Sequence, residues 1–396
     1  MQHTDRPNSR AKLKIALIGT RGVPARYGGF ETAIEEVGRR LAEEGHDVTV
    51  YCRGVAKEER RKAYLGMRLV HLPAMRRRSL ETLSHTALSV LHAAVRRPDV
   101  AIVFNAANAP MLPILGLAGI PFATHVDGLE WKRSKWGPTG QRYYLICERL
   151  AVWWSSELIA DAKGIADYYA SKFGRATRLI TYGAPQLESA KATRLAELGL
   201  ESKKYHLIVA RFEPENHVDM IVQGYGQSNA QLPLVVVGSA PYAEQYTQEV
   251  RGVANENVVF LGGVWDQELL DELYAHALAY WHGHSVGGTN PSLLRALGAG
   301  TAINAFDVNF NREVALDAGE YFGTADAAAT LFDRTEADIA SVMGRGNKAQ
   351  ERSKAYNWAD VADAYGQLCQ DLVQRRKMKD LQVGVESSQE RRVRAS

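Results

Sequence analysis

An apolar run that breaks into a glycine loop and restarts as a helix occurs twice in this chain, and it narrows the possible folds more than any other feature. The fuller copy lies in the second half. Leu278-Ala279-Tyr280-Trp281 has the length and character of a buried strand. The loop His282-Gly283-His284-Ser285-Val286-Gly287-Gly288-Thr289-Asn290 follows, and Pro291-Ser292-Leu293-Leu294 opens a helix. Proline suits the first helical position, where a backbone donor would be an orphan in any case. Gly287 and Gly288 let the backbone approach a ligand closely, and the free N–H groups at a helix start favour an anion such as phosphate. A tight turn without a ligand is the competing reading.

The first copy runs from Leu13 to Glu31. Leu13 to Ile18 reads as a strand, and Gly19 to Glu31 as a long glycine loop. A helix with Ile34, Val37 and Leu41 on one face follows, with Gly45 as its stop, and then a strand at Val48 to Tyr51. That is a βαβ unit. It lacks Gly-x-Gly-x-x-Gly spacing, and its second strand ends in Cys52-Arg53 where a ribose-binding acid would stand. Both points disfavour a nicotinamide-dependent oxidoreductase. No Gly-Lys-Ser/Thr follows the glycines, which excludes a Walker A loop.

Strand and helix patterns then alternate to the end of each half. Strands are expected at 67–72, 99–104, 120–125, 158–161 and 178–182, and again at 205–210, 233–238, 258–261, 278–281 and 301–306. Between 186 and 204 the pattern loses its strands and turns polar, which marks a domain boundary. The expected layout is a flexible N-terminus at 1–12, a Rossmann-like domain at 13–186, a second at 187–374, and a basic, disordered tail at 375–396. Ligands of such sheets bind at the carboxyl edges of the strands, so the two domains should face one central cleft. The edge ending in His125 also carries Asp127, and Arg21, Asn105 and Asn108 accompany it.

Composition supports this frame. A chain of 396 residues is too long for one core, and 46% apolar residues suffice for two. No apolar run reaches the roughly 20 residues that span a bilayer, and Met1 to Lys12 is too polar for a secretory signal, so a cytoplasmic protein is expected. Cys52, Cys147 and Cys369 are widely spaced, which argues for buried thiols and against disulfides or structural zinc. The net charge of +3 says little, but arginines cluster at 76–78, 96–97, 175–178 and 375–379. With Trp153-Trp154, the cluster at 76–78 is a candidate for peripheral contact with an anionic membrane; solvated arginines and core tryptophans are the alternative.

Five stretches carry a family resemblance: Gly19 to Thr32, Val126 to Arg133, Val209 to Asn216, His282 to Leu294 and Asn311 to Val314. In that order, over about 13–372, they resemble a bacterial, rhamnosyltransferase-like or exopolysaccharide branch of the family 4 glycosyltransferases. The resemblance implies an α/β GT-B fold of two Rossmann-like domains in series. It further implies a nucleotide-sugar donor (UDP-, GDP- or dTDP-sugar) on the C-terminal domain, a saccharide or lipid-linked saccharide acceptor on the N-terminal domain, and transfer with retention. No cofactor and no essential metal are implied, in keeping with the absence of an Asp-x-Asp cluster, and no nucleic acid.

Carried over residue by residue, the resemblance gives His125 and Arg211 the catalytic roles, Arg211 on the donor pyrophosphate. Gly22, Glu215, Asn216, His284, Ser285, Gly287, Gly288, Thr289, Asn290 and Arg295 fall to the donor. Arg21, Tyr27, Gly28, Gly29, Phe30 and Asp127 fall to the acceptor. Asn216 stands where the wider family has a lysine, and Arg295 where it has a ribose-binding glutamate. A guanidinium only donates hydrogen bonds, so Arg295 should answer to Glu213, Glu215 or the donor phosphates. A catalytically silent protein that binds a nucleotide sugar or a partner enzyme is the second reading, and Arg295 is what favours it.

Overall fold

The computed structural model describes residues 11–25, 28–75, 80–126, 128–187, 191–238 and 244–393. The first half contains β1 (Lys14–Ile18), α1 (Gly29–Glu43), β2 (Asp47–Cys52), β3 (Ala63–Tyr64), β4 (Met67–His71), α2 (Glu81–Arg96) and β5 (Val100–Phe104). It continues with α3 (Leu112–Leu117), β6 (Phe122–His125), α4 (Pro138–Trp154), β7 (Glu157–Ala160), α5 (Lys163–Phe173) and β8 (Arg178–Leu179). Among the described residues these strands form one sheet in the order β3-β4-β2-β1-β5-β6-β7-β8, parallel except for the β3–β4 pair. Chain order reverses beside β1, the arrangement that opens a crevice at the carboxyl edge.

The second half contains β9 (His206–Val209), α6 (Val218–Gln227), β10 (Leu234–Val237), α7 (Glu244–Gly252), β11 (Val258–Gly262), α8 (Gln267–His276), β12 (Ala279–His282) and α9 (Pro291–Gly298). Then come β13 (Ala302–Phe306), α10 (Asn309–Ala315), β14 (Gly319–Phe322), α11 (Ala325–Ala337), α12 (Ile339–Ser353) and α13 (Trp358–Val393). Its parallel sheet runs β11-β10-β9-β12-β13-β14. These central strands are buried along nearly their whole length because helices cover both faces. The fold is therefore two parallel-sheet α/β domains in series.

Two expectations about the C-terminus are corrected. Residues 358–374, assigned above to the second domain, cross back to the first. Val361, Tyr365, Leu368 and Leu372 recur at i, i+4, i+7 and i+11 on α13 and join Ile34, Val37 and Leu41 of α1 in one core. Arg178–Asp371 and Arg375–Glu157, both 2.8 Å, pin the helix to the first sheet. The expected disordered tail is likewise helical through Val393, because it continues a helix already fixed by packing. No helix among the described residues is long and apolar enough to cross a membrane.

Candidate active site

The two glycine loops meet across the cleft. In the first, Gly22 has φ +94° and a side chain there would lie 2.4 Å from Cys52 Sγ, so only glycine fits. The space on the side of a Gly22 Cβ is filled by Cys52. Gly28 caps α1, and the Glu31 carboxylate in the first turn accepts the Arg21 N–H at 3.1 Å. Glu35 holds the Ala25 N–H at 2.6 Å. The loop is thus tied down by acids of the helix it precedes, near the positive end of that helix.

The second loop is held at its start by its own domain and at its end by the other. A Cβ on Gly128 would stand 2.4 Å from Gly287 Cα, and one on Gly288 would stand 2.2 Å from Asp161 Oδ1. Thr289 donates its hydroxyl to the Asp161 carbonyl at 2.6 Å, and Gly29 lies against Pro291. Gly128 admits the Gly287 backbone and Gly288 leaves room for the Asp161 carboxylate, so first-domain groups stand where the sequence suggested a ligand. Asn290 caps α9 by accepting the Ser292 N–H at 2.9 Å, so that donor is already used.

His125 ends β6 inside an aromatic box. Phe104 stacks at 5.5 Å on one side and Tyr182 at 6.0 Å on the other, with Phe30 edge-on at 5.1 Å. Burial pushes its imidazole down to about 4, so it is neutral at pH 7. Asn105 and Asn108 serve the backbone of this edge, Asn105 accepting from Ala107 N and Asn108 donating to the Gly19 and Phe104 carbonyls.

Facing this edge, Arg211 keeps a partly exposed guanidinium 3.5 Å from Glu213. Asn216 donates to the Arg211 carbonyl at 2.7 Å and its amide oxygen meets His284 Nδ1. Ser285 bonds the Glu215 carbonyl through both its N–H and its hydroxyl, and His217 Nε2 lies 3.0 Å from that hydroxyl. Asn311 donates to the His284 carbonyl. His284 is pushed well below its ordinary value, first by burial and then by the charges of Arg133, His282 and Arg211. Asn216 thus links the Arg211 backbone to His284 at the base of the loop.

Arg133, which the sequence reading quoted but gave no role, bridges the domains. It lies 2.5 Å from Glu130 on its own loop, 3.5 Å from Glu213 and 3.8 Å from Glu215. Ser134 donates to Glu215 at 2.8 Å. Burial alone would raise the Glu130 carboxyl, but Arg133 and Lys135 hold it below its usual range. Glu31, Asp161, Tyr182 and His217 were also missed, and only the glutamate two residues past Gly29 had any sequence signal, as an acid in a first turn.

Arg295 is the main correction. It does not reach Glu213 or Glu215; its guanidinium crosses to α8, 2.8 Å from Gln267 Oε1 and 3.5 Å from Asp271. Eight residues make α9 only about two turns, which puts Arg295 in the last of them, facing α8. Arg21 turns toward Glu81 at 3.8 Å. Gly28, Gly29, Phe30, His125, Arg211, Glu215, Asn216, His284, Ser285 and Gly287 to Asn290 do converge, while Tyr27 and Asp127 lie outside the described residues.

Comparison with known proteins agrees with this geometry. Residues 28–183 match the family described as "Glycosyl transferase 4-like domain", and residues 191–341 match "Glycosyl transferases group 1". A curated relative, the GtfA subunit of UDP-N-acetylglucosamine–peptide N-acetylglucosaminyltransferase from Streptococcus gordonii, is 27% identical over 122 residues, 30% of this chain. That match spans about a quarter (24%) of the relative's length. Among solved structures, sucrose-phosphate synthase from Thermosynechococcus elongatus superposes with a TM-score of 0.78 at 20% identity, covering 92% of this chain and 100% of that one. Anabaena HepE in complex with UDP-glucose gives 0.72 at 16%, covering 90% and 99%. WaaG, a glycosyltransferase involved in lipopolysaccharide biosynthesis, gives 0.68 at 16%, also covering 90% and 99%. Glycosyl transferase 4-like in its first half and group 1 in its second, the chain belongs to the GT-B glycosyltransferases.

Proposed function

We propose that the chain transfers a sugar from a nucleotide-sugar donor to a saccharide or lipid-linked saccharide acceptor, with retention, in the assembly of a cell-surface polysaccharide in the cytoplasm. The observation that carries this reading is a partly exposed Arg211 joined through Asn216 to His284 of the second glycine loop, whose Gly287 lies against Gly128, three residues past the strand end at His125. A leaving nucleoside diphosphate develops negative charge, and a preorganised guanidinium offsets it. Neutral at pH 7, His125 is suited to hydrogen-bonding a sugar hydroxyl or carbonyl, not to pairing with phosphate. The complexes of HepE with UDP and with UDP-glucose support a uridine donor in particular. Glu215 and Asn216 act by shaping the loop through Ser285 and His284. Arg295, paired with Asp271, takes no direct part.

Thermal shift against UDP-, GDP- and dTDP-sugars tests the donor, because a ligand that binds the folded state raises its stability by mass action. Arg211→Ala is expected to weaken binding of the stabilising nucleoside diphosphate by about 1.5–3 kcal/mol, the worth of a charge-assisted contact, with the melting temperature of the free protein unchanged. Unaltered affinity in the folded variant overturns the assignment of Arg211. Donor binding with no transfer to any acceptor would favour the silent protein.

A further inference from the structure

Helices α2 and α4, with α3 between them, form a layer over one face of the first sheet, packed on Val90, Ala93, Leu115, Cys147 and Ala151. The outward side of this layer is not the polar surface that a helix over a core ordinarily shows water. On α2 the outward row is Leu88, Leu91 and Val95, spaced i, i+3, i+7. On α4 it is Arg142, Ile146, Arg149 and Trp153, spaced i, i+4, i+7, i+11. Val95 is 81% exposed, Leu117 at the end of α3 is 90%, and Trp153 is 70%. Trp153 and Trp154 are therefore surface residues, which removes the reading of them as core.

The outward rows of this layer carry cations. Glu81 opens α2 and Asp99 follows it, both at the edge of the layer, and within 82–98, 106–119 and 138–156 the single carboxylate is Glu148. It is buried, accepting from Tyr168 at 2.9 Å and Lys172 at 3.1 Å beneath the layer. The exposed charges are Arg96, Arg97, Arg142 and Arg149. A contiguous apolar patch studded with cations and stripped of anions is complementary to a plane of lipid phosphates over acyl chains. Tryptophan is enriched at that depth, and arginine stems lie along apolar surface while their heads reach the phosphates. A protein partner of mixed charge would find no acid here to pair with its own lysines and arginines.

We propose that the α2–α3–α4 layer docks the protein peripherally on an anionic bilayer surface. The site differs from the sequence-based expectation, whose Arg76, Arg77 and Arg78 lie outside the described residues. It is independent of the proposed transfer reaction, because none of its outward side chains belongs to the cleft. Docking here does not require insertion: the rows lie along helix flanks, as in interfacial amphipathic helices.

The test is flotation of the full-length protein with vesicles of phosphatidylcholine alone and with a third of that lipid replaced by phosphatidylglycerol. Wild type is expected to float with the anionic vesicles at low salt, to release at high salt, and to ignore the neutral ones. Arg142→Ala with Arg149→Ala is expected to lower partitioning about tenfold or more, and Leu91→Ser with Trp153→Ser to do the same. Circular dichroism melts should be unchanged, since all four side chains are exposed. As a second readout, brominated lipid should quench part of the emission of bound wild type, and Trp153→Phe should remove that part. Three results overturn the proposal: no flotation of wild type at low salt, undiminished flotation of both double variants, or a concentration-dependent dimer that the variants dissociate. Nucleotide affinity measured in the same variants separates failure here from failure of the transferase reading.

Discussion

The two glycine loops share a layout in sequence and differ in what holds them. The Gly19–Phe30 loop is fixed within its own domain by Glu31, Glu35 and the close packing of Gly22 on Cys52. The Gly283–Asn290 loop is fixed at its start by its own domain, through Glu215, Asn216 and Asn311, and at its end by the opposite domain, through Gly128, Asp161 and Gly29. Identical local signals therefore serve two purposes: a rigid edge in one case, and a joint between domains in the other. A loop held by its own domain should fail with that domain, whereas a joint should fail while both domains stay folded.

Acid attacks both edges together and should have the largest effect. His85 and His125 in the first domain are pushed down to about 4 by burial, and His282 at the start of the second loop to about 3. A lowered folded pKa means that the unfolded chain binds more protons, so the stability is intact above about 6.5 and is lost as pH falls toward 4 and then 3. The loss should reach about 3 kcal/mol for each site in urea melts from pH 7 to 4, if the three sites act independently. Stability that is flat over that range would contradict their burial as neutral groups.

Gly22→Ala tests the self-held loop. It combines a backbone at φ +94° with a Cβ 2.4 Å from Cys52 Sγ, and should cost about 3 kcal/mol of unfolding free energy. A variant that melts like wild type would show that the loop relaxes freely. Gly128→Val tests the joint, at a cost of about 1–2 kcal/mol. Small-angle scattering should show a larger radius of gyration with unchanged secondary structure, and an unchanged radius would mean that the Gly128–Gly287 contact does not set the domain closure. Arg295→Glu should have the smallest effect. It places a carboxylate beside Asp271, whose carboxyl is already pushed above its usual range by burial, and should lower stability by about 1 kcal/mol without altering nucleotide affinity. Loss of nucleotide binding would return Arg295 to the donor site.

The strand-loop-helix units were legible because their signals are local. Asn290 and Pro291 open α9 by capping chemistry that depends on neighbours in sequence alone, and Ile34, Val37 and Leu41 reveal a buried face by spacing. Helix α4 was passed over for a physical reason. Its outward row carries Ile146 and Trp153 among arginines, so the contrast between its two faces, on which such recognition depends, is weak. The short β14 was missed because four residues, only one of them fully buried, carry too little pattern.

The sequence by itself determined the alternation of elements, the two α/β domains in series and the glycosyltransferase family, since each follows from periodicity, turn chemistry or motif. Only the tertiary structure decided which partners the site residues meet. Arg295 meets Asp271 because α8 packs beside α9, and Arg133 reaches Glu213 and Glu215 because two loops 80 residues apart close on one another. Residues 358–374 join the first domain because the apolar stripe of α13 finds its complement on α1. Contacts of that kind depend on the distances at which folded elements settle, which no local pattern in the chain encodes.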